Sequence, residues 1–236
     1  MEGAPILIPV NDGEMGGYIV KPAQPNGGAV IVLQEIFGVN ATIRGFADSF
    51  AAAGYLAVAP DLFWRQERDV QIGPGEAGGY ERALALMKNF DQTLALDDIA
   101  AVIDWLDRRP DAIGKVGVVG FCVGGKLAFQ LAGRAHVECT VSYYGTGIHT
   151  VLSAAAGFFG KVLLHVAEAD HLCPPEAQKA IAEAFADNSN VVVMSYPDAG
   201  HAFARIGGDH YNAAAASRAN MATFEFLQEN LQASVR

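Results

Sequence analysis

Short runs of β-branched and other apolar residues alternate along the chain with longer stretches whose apolar positions recur at helical spacing, the pattern of an α/β protein. Ile6–Val10 and Gly17–Lys21 predict an antiparallel pair of strands, with Asn11-Asp12-Gly13 supplying the turn between them. Ala29–Leu33 is apolar without interruption, as a strand buried on both faces requires. A helix is expected from Asn40 to Ala53, closed by Gly54, then a strand at Tyr55–Ala59 stopped by Pro60. Asp61 to Gly79 interrupts the rhythm with five glycines and prolines near its end, Gly73, Pro74, Gly75, Gly78 and Gly79, and reads as an ordered excursion near a site. Helices follow at Tyr80–Lys88 and Thr93–Arg109. Beyond them the pattern gives a strand at Val116–Gly120, a helix at Val123–Arg134 and a strand at Val137–Tyr144. Strands at Lys161–Val166 and Val191–Tyr196, separated by a helix at Pro175–Ala186, precede a closing helix at Asp209–Leu231. With no linker, repeat or low-complexity stretch, one domain over residues 1–236 is the expectation.

Composition narrows the function classes. The 236 residues are 51% hydrophobic and 18% charged, enough for a sizeable core and unlike a disordered chain. A formal net charge of −10 argues against a nonspecific grip on nucleic acid or anionic lipid. Three cysteines form neither a disulfide framework nor a CxxC pair, which favours a reducing compartment. The start, Met1-Glu2-Gly3-Ala4-Pro5, lacks a basic leader, and no apolar run approaches the roughly 20 residues of a membrane span. A cytoplasmic protein is expected.

The most informative stretch is Lys115-Val116-Gly117-Val118-Val119-Gly120-Phe121-Cys122-Val123-Gly124-Gly125-Lys126, a buried strand passing at once into a helix. Gly120, Cys122 and Gly124 fit the nucleophile elbow G-x-S-x-G with cysteine for serine, where small neighbours let the helix cross the strand closely. A sulfur at a helix N-terminus feels the positive end of the dipole, and the Val123 amide points where an oxyanion would form. Two other readings share the stretch. Gly120 to Lys126 satisfies most of a phosphate loop, but Leu127 stands where a magnesium-binding hydroxyl belongs. Cys122 could also be a packed thiol in a protein that binds without catalysing.

A thiol nucleophile needs a histidine base and an acid, which this strand order delivers downstream. Asp170 follows Lys161–Val166, and His201 follows Val191–Tyr196, with Ala199-Gly200 allowing a tight turn beside it. The other five histidines, at 136, 149, 165, 171 and 210, read as structural or solvated. Ala29–Leu33 runs into Gln34-Glu35-Ile36-Phe37-Gly38. Glu35 is therefore either a water-facing loop carboxylate or an acid beside the nucleophile, with the Ile36 amide as second oxyanion donor.

Five segments carry a family resemblance: Gln34-Glu35-Ile36-Phe37-Gly38-Val39-Asn40, Pro60-Asp61-Leu62, Val118 to Gly125, Tyr143-Tyr144-Gly145 and Ala199-Gly200-His201-Ala202-Phe203-Ala204-Arg205. Together they resemble dienelactone hydrolase, over about residues 6 to 232. The resemblance implies a single α/β-hydrolase domain, mainly a parallel sheet with helices on both faces, that opens a carboxylate-bearing enol-lactone or related ester without metal or organic cofactor. It implies a resting Cys122 held as a neutral thiol near Glu35, which takes its proton when the substrate carboxylate draws Arg205 away. His201 and Asp170 then stabilise the thiolate. Phe37, Tyr143 and Arg82 complete the expected substrate contacts. Arg82 is included because Tyr80 occupies the place of the family's second carboxylate-binding arginine, and Leu84 and Met87 stand where aromatic rings are usual. A monomer or weak dimer, with no nucleic-acid or membrane partner, is the implied state.

Overall fold

In a computed structural model of the chain, residues 3–112 and 114–231 are described. Met1 and Glu2, read above as part of the leaderless start, and residue 232 lie outside them. The chain divides into two compact units, one running to Gly117 and taking in Leu231, the other from Val118 to Asn230.

The first unit opens with β1 (Ala4–Val10) and β2 (Gly13–Val20), antiparallel as expected and starting earlier than the apolar run implied. Val10 pairs with Gly13, so the turn is the two residues Asn11 and Asp12. β3 (Ala29–Leu33) and β4 (Leu56–Pro60) are wholly buried and parallel, and β2 joins β4 antiparallel, giving the order β1-β2-β4-β3. Between them α1 (Ala41–Ala52) starts at Asn40, whose Oδ1 accepts from the Thr42 and Ile43 amides while Nδ2 donates to the Ile72 carbonyl at 2.9 Å.

The glycine-rich excursion after β4 is ordered by a few polar anchors. Asp61 accepts from the Phe63 and Asp69 amides, and burial pushes its carboxyl up to about 6 against those two donors. Arg65 is held by Asp12 and the buried Asp98, which also accepts from Trp64 Nε1 at 3.0 Å. Gly38, at φ +75°, lies against Val70, whose carbonyl would be 1.9 Å from any Cβ there. α2 (Gly79–Lys88) and α3 (Gln92–Asp107, capped by Asp91) complete the unit. Ala83 and Leu86 of α2 pack with Phe63, Val70 and Ile72, and Ile36, Phe37 and Met87 flank that cluster.

The second unit holds most of β5 (Val116–Phe121), then α4 (Val123–Leu131), β6 (Cys139–Tyr143), β7 (Lys161–Ala167), α5 (Pro175–Phe185), β8 (Val191–Tyr196) and α6 (Ala213–Leu231). β6, β7 and β8 run parallel in that order, next to β5. Two 3-10 turns, Ile148–Thr150 and Leu152–Gly157, fill a segment to which the pattern assigned nothing. α6 begins four residues later than expected, because Asn212 Oδ1 accepts from the Ala215 amide and caps the helix there.

Under α6 lies a buried polar layer. His165 bridges the Tyr196 hydroxyl at 2.8 Å and the Thr223 hydroxyl at 2.9 Å, and burial pushes its imidazole down to about 3, so the ring is neutral. The Tyr143 hydroxyl lies 2.7 Å from Thr223 Oγ1 and donates to Asn220 Oδ1. Among the described residues no helix is long and apolar enough to cross a membrane.

Candidate active site

The passage from β5 to α4 is made by one residue. Cys122 caps α4 with φ +55° and ψ −116°, a conformation most side chains avoid. Its amide donates to the Tyr143 carbonyl at 3.0 Å, and its carbonyl accepts from the Thr146 and Lys126 amides, each at 3.2 Å. The strained residue is thus clamped from both sides. A Cβ on Gly120 would stand 2.0 Å from the Gly124 carbonyl oxygen, and one on Gly125 would stand 2.7 Å from Ser142 Oγ. This close crossing of strand and helix is what the nucleophile-elbow reading of Gly120–Gly124 requires. Gly120→Ala forces backbone apart and is expected to cost about 1–3 kcal/mol, a loss of roughly 2–12 °C in Tm. Thermal unfolding checks this; an unchanged Tm contradicts the close crossing.

Parallel register puts the ends of β7 and β8 level, since Ala167 pairs with Tyr196. The loops beyond are laced together, Glu168 donating to the Tyr196 carbonyl and Ala169 to the Ala199 carbonyl at 3.0 Å. Asp170 stands in the first loop and His201 in the second. The Asp170 carboxylate is buried. Its Oδ1 accepts from the Leu172 amide at 2.8 Å, and its Oδ2 lies 2.8 Å from His201 Nδ1. His201 Nε2 lies 3.2 Å from Cys122 Sγ. The tight turn expected at Ala199-Gly200 is displaced. Positive φ occurs at Asp198 (60°) and Ala202 (64°), on either side of the histidine, while Gly200 is unstrained.

Burial disfavours a charged imidazole, but hydrogen bonds to Asp170 and Cys122, with the charges of those groups, outweigh it and push His201 up to about 10. At neutral pH the ring therefore carries both protons, Nδ1–H donating to Asp170 and Nε2–H to the sulfur. A raised pKa contributes stability that is fully present below about 6.5 and lost as pH rises through about 10. The sulfur faces His201 as a hydrogen-bond acceptor. Burial and the Asp170 charge push the Cys173 thiol up to about 11, so it offers no thiolate at neutral pH, and Cys139 is fully buried.

The remaining expected residues fall as follows. Val123 is the first residue of α4, where an amide has no intrahelical partner. Glu35, just beyond β3, is 1% exposed, which corrects the reading of a water-facing loop carboxylate. Its neighbour Gln34 is anchored by accepting from the Leu62 amide. Ile36 and Phe37 form the turn that follows. Arg205 lies four residues beyond His201, its amide donating to the Ala202 carbonyl. Two residues expected at the substrate have other partners. Tyr143 is 1% exposed with its hydroxyl committed to Thr223 and Asn220, and Arg82 is ion-paired with Glu67 and Glu76. Tyr80, in place of a family arginine, is 59% exposed. Sequence reasoning passed over Tyr144, whose ring meets that of His201 at 5.3 Å; no local pattern marks it apart from Tyr143.

The sequence profile of the Dienelactone hydrolase family matches residues 15–231. A protein of Azospirillum brasilense is 40% identical, across 96% of this chain and 98% of its own. The carboxymethylenebutenolidase of Pseudomonas putida is 36% identical, across 94% of each chain. The crystal structure of dienelactone hydrolase from Anabaena variabilis superposes with a TM-score of 0.72, covering 98% of both chains at 18% identity. That likeness establishes the α/β-hydrolase fold.

Proposed function

The chain belongs to the dienelactone hydrolase family, and on that premise we propose that it opens a carboxylate-bearing enol-lactone, the carboxymethylenebutenolide of its named relatives, through a Cys122–His201–Asp170 triad. The observation that carries the reading is the unbroken line from Asp170 Oδ2 to His201 Nδ1 and from His201 Nε2 to Cys122 Sγ, at 2.8 and 3.2 Å. Cys122 sulfur attacks the lactone carbonyl, and the amides of Val123 and Ile36 hold the oxyanion. Collapse breaks the ring C–O bond and leaves a thioester whose enolate stays tethered. His201 gives its Nε2 proton to that oxygen and, now neutral, takes a proton from the water that attacks the thioester. Thiolate leaves, and the pair is restored. Arg205 engages the substrate carboxylate, and Glu35 takes any proton remaining on the sulfur. No metal or organic cofactor enters the scheme, and a single cytoplasmic domain, monomeric or weakly dimeric, would suffice.

Steady-state rates with dienelactones, neutral lactones and p-nitrophenyl esters test the substrate class. The wild type should favour the carboxylate-bearing lactone, and Arg205→Ala should lose roughly 10- to 100-fold of that preference, the worth of a charge-assisted hydrogen bond of about 1.5–3 kcal/mol. An equal or better rate on neutral lactones would remove carboxylate recognition from the proposal.

A further inference from the structure

Five described non-glycine residues have positive φ, and four of them surround the triad: Cys122, Tyr144, Asp198 and Ala202. Cys122 is the proposed nucleophile, and Asp198 and Ala202 flank His201. Tyr144 has no part in the chemistry so far, yet its backbone is strained at φ +39°. Glycine would accept that conformation freely, so the backbone gains nothing from a tyrosine. What tyrosine brings is a ring. Its amide is fixed to the His165 carbonyl at 2.9 Å, directly after the Tyr143 carbonyl that holds the Cys122 amide. The ring is 3% exposed, wedged against Phe203 at 5.3 Å and Phe121 at 6.2 Å, and it meets the His201 ring at 5.3 Å with planes 68° apart.

The two hydrogen bonds of His201 leave one motion open. Bonds at its two nitrogens, to Asp170 and to Cys122, tether the edge of the ring but not its face, and permit tipping of the side chain about its Cα–Cβ bond. Tipping swings Nε2–H out of alignment with the sulfur. A rigid ring set across the imidazole blocks it, and the other aromatic neighbour, His171, stands farther off at 6.2 Å and is largely exposed. We infer that Tyr144 is a positioning residue for His201, its strained backbone delivering a packed ring that holds the imidazole in line with Cys122.

This inference rests on the proposed Cys122–His201 chemistry. Its test compares the wild type with Tyr144→Phe, Tyr144→Leu and Tyr144→Met, the last as a second ring-free variant should leucine not fold. Two readouts are taken: kcat with KM on one ester, and the midpoint of the alkaline limb of kcat, which reports the His201 imidazolium. Tyr144→Phe should stay within about threefold of the wild type, whereas the ring-free variants should lose roughly 10- to 100-fold in kcat with KM little changed. Their alkaline midpoint should move down from that of the wild type, because an imidazole out of line loses the Cys122 hydrogen bond that helps hold its proton. A ring-free variant with lowered Tm but wild-type kcat and midpoint would overturn the inference, leaving Tyr144 as packing. Equal damage in Tyr144→Phe would also overturn it, by assigning the effect to the hydroxyl. Turnover persisting in Cys122→Ala would instead sink the paired chemistry beneath it.

Discussion

Cys122→Ser is expected to lower kcat on the order of 10³-fold or more while leaving Tm nearly unchanged. The substitution preserves shape, so the elbow at φ +55° and its clamps to Tyr143, Thr146 and Lys126 persist. What it removes is an ionisable nucleophile. Sulfur can give up its proton and accept from an imidazolium that holds its own up to about pH 10. An alcohol has no such anionic state near neutrality, and neither His201 so protonated nor a carboxylate such as Glu35 will ionise it. Histidine arranged as a base for serine would have to be neutral, which the Asp170 hydrogen bond and charge oppose. Near-normal rates in the serine variant, measured by steady-state ester turnover, would refute both the thiolate pair and the Glu35 role.

Asp170→Asn is expected to cost roughly 10³- to 10⁴-fold in kcat, comparable to the loss known for the acid of a serine triad. The carboxylate has two duties, accepting from the Leu172 amide at Oδ1 and from His201 at Oδ2. Asparagine has one acceptor. If that oxygen stays on Leu172, the amide NH₂ faces Nδ1, where only an acceptor fits, and the ring turns or takes the wrong tautomer. The pH profile should separate this from a folding defect. Losing the Asp170 hydrogen bond and charge lowers the His201 pKa from about 10 toward its ordinary 6.5, so the alkaline limb of kcat should move down by more than one unit. An unchanged alkaline limb would mean that Asp170 does not govern the imidazole.

Much of this arrangement was legible in the sequence, for physical reasons that differ by element. The buried strands Ala29–Leu33 and Val116–Phe121 announced themselves because a strand covered on both faces must be apolar throughout. Cys122 was legible because a strand passing into a helix through one residue needs glycines at 120 and 124, and Asp170 and His201 because parallel strands bring their following loops to one edge. The partners of Tyr143 and Arg82 were not legible, for the opposite reason. Whether a hydroxyl is free or a guanidinium already paired depends on α6 and on the Asp61–Gly79 excursion, contacts far away in sequence that no local pattern encodes. The strain at Asp198, Ala202 and Tyr144 was equally invisible, since a left-handed φ at a non-glycine residue is imposed by packing rather than preferred by the residue. Helix starts are set by side-chain caps that the pattern did not single out: Asn40 was included in its helix, and Asn212 passed unread, so that α6 was started too early.

The central claim, that Cys122 carries the acyl group, is tested most directly by mixing the enzyme with an activated ester, quenching in acid within one turnover and mapping the peptides by mass. The account predicts an acyl adduct confined to the peptide bearing Cys122, absent from Cys122→Ala, which should also lose turnover. An adduct on another residue, or turnover persisting in Cys122→Ala, would contradict it.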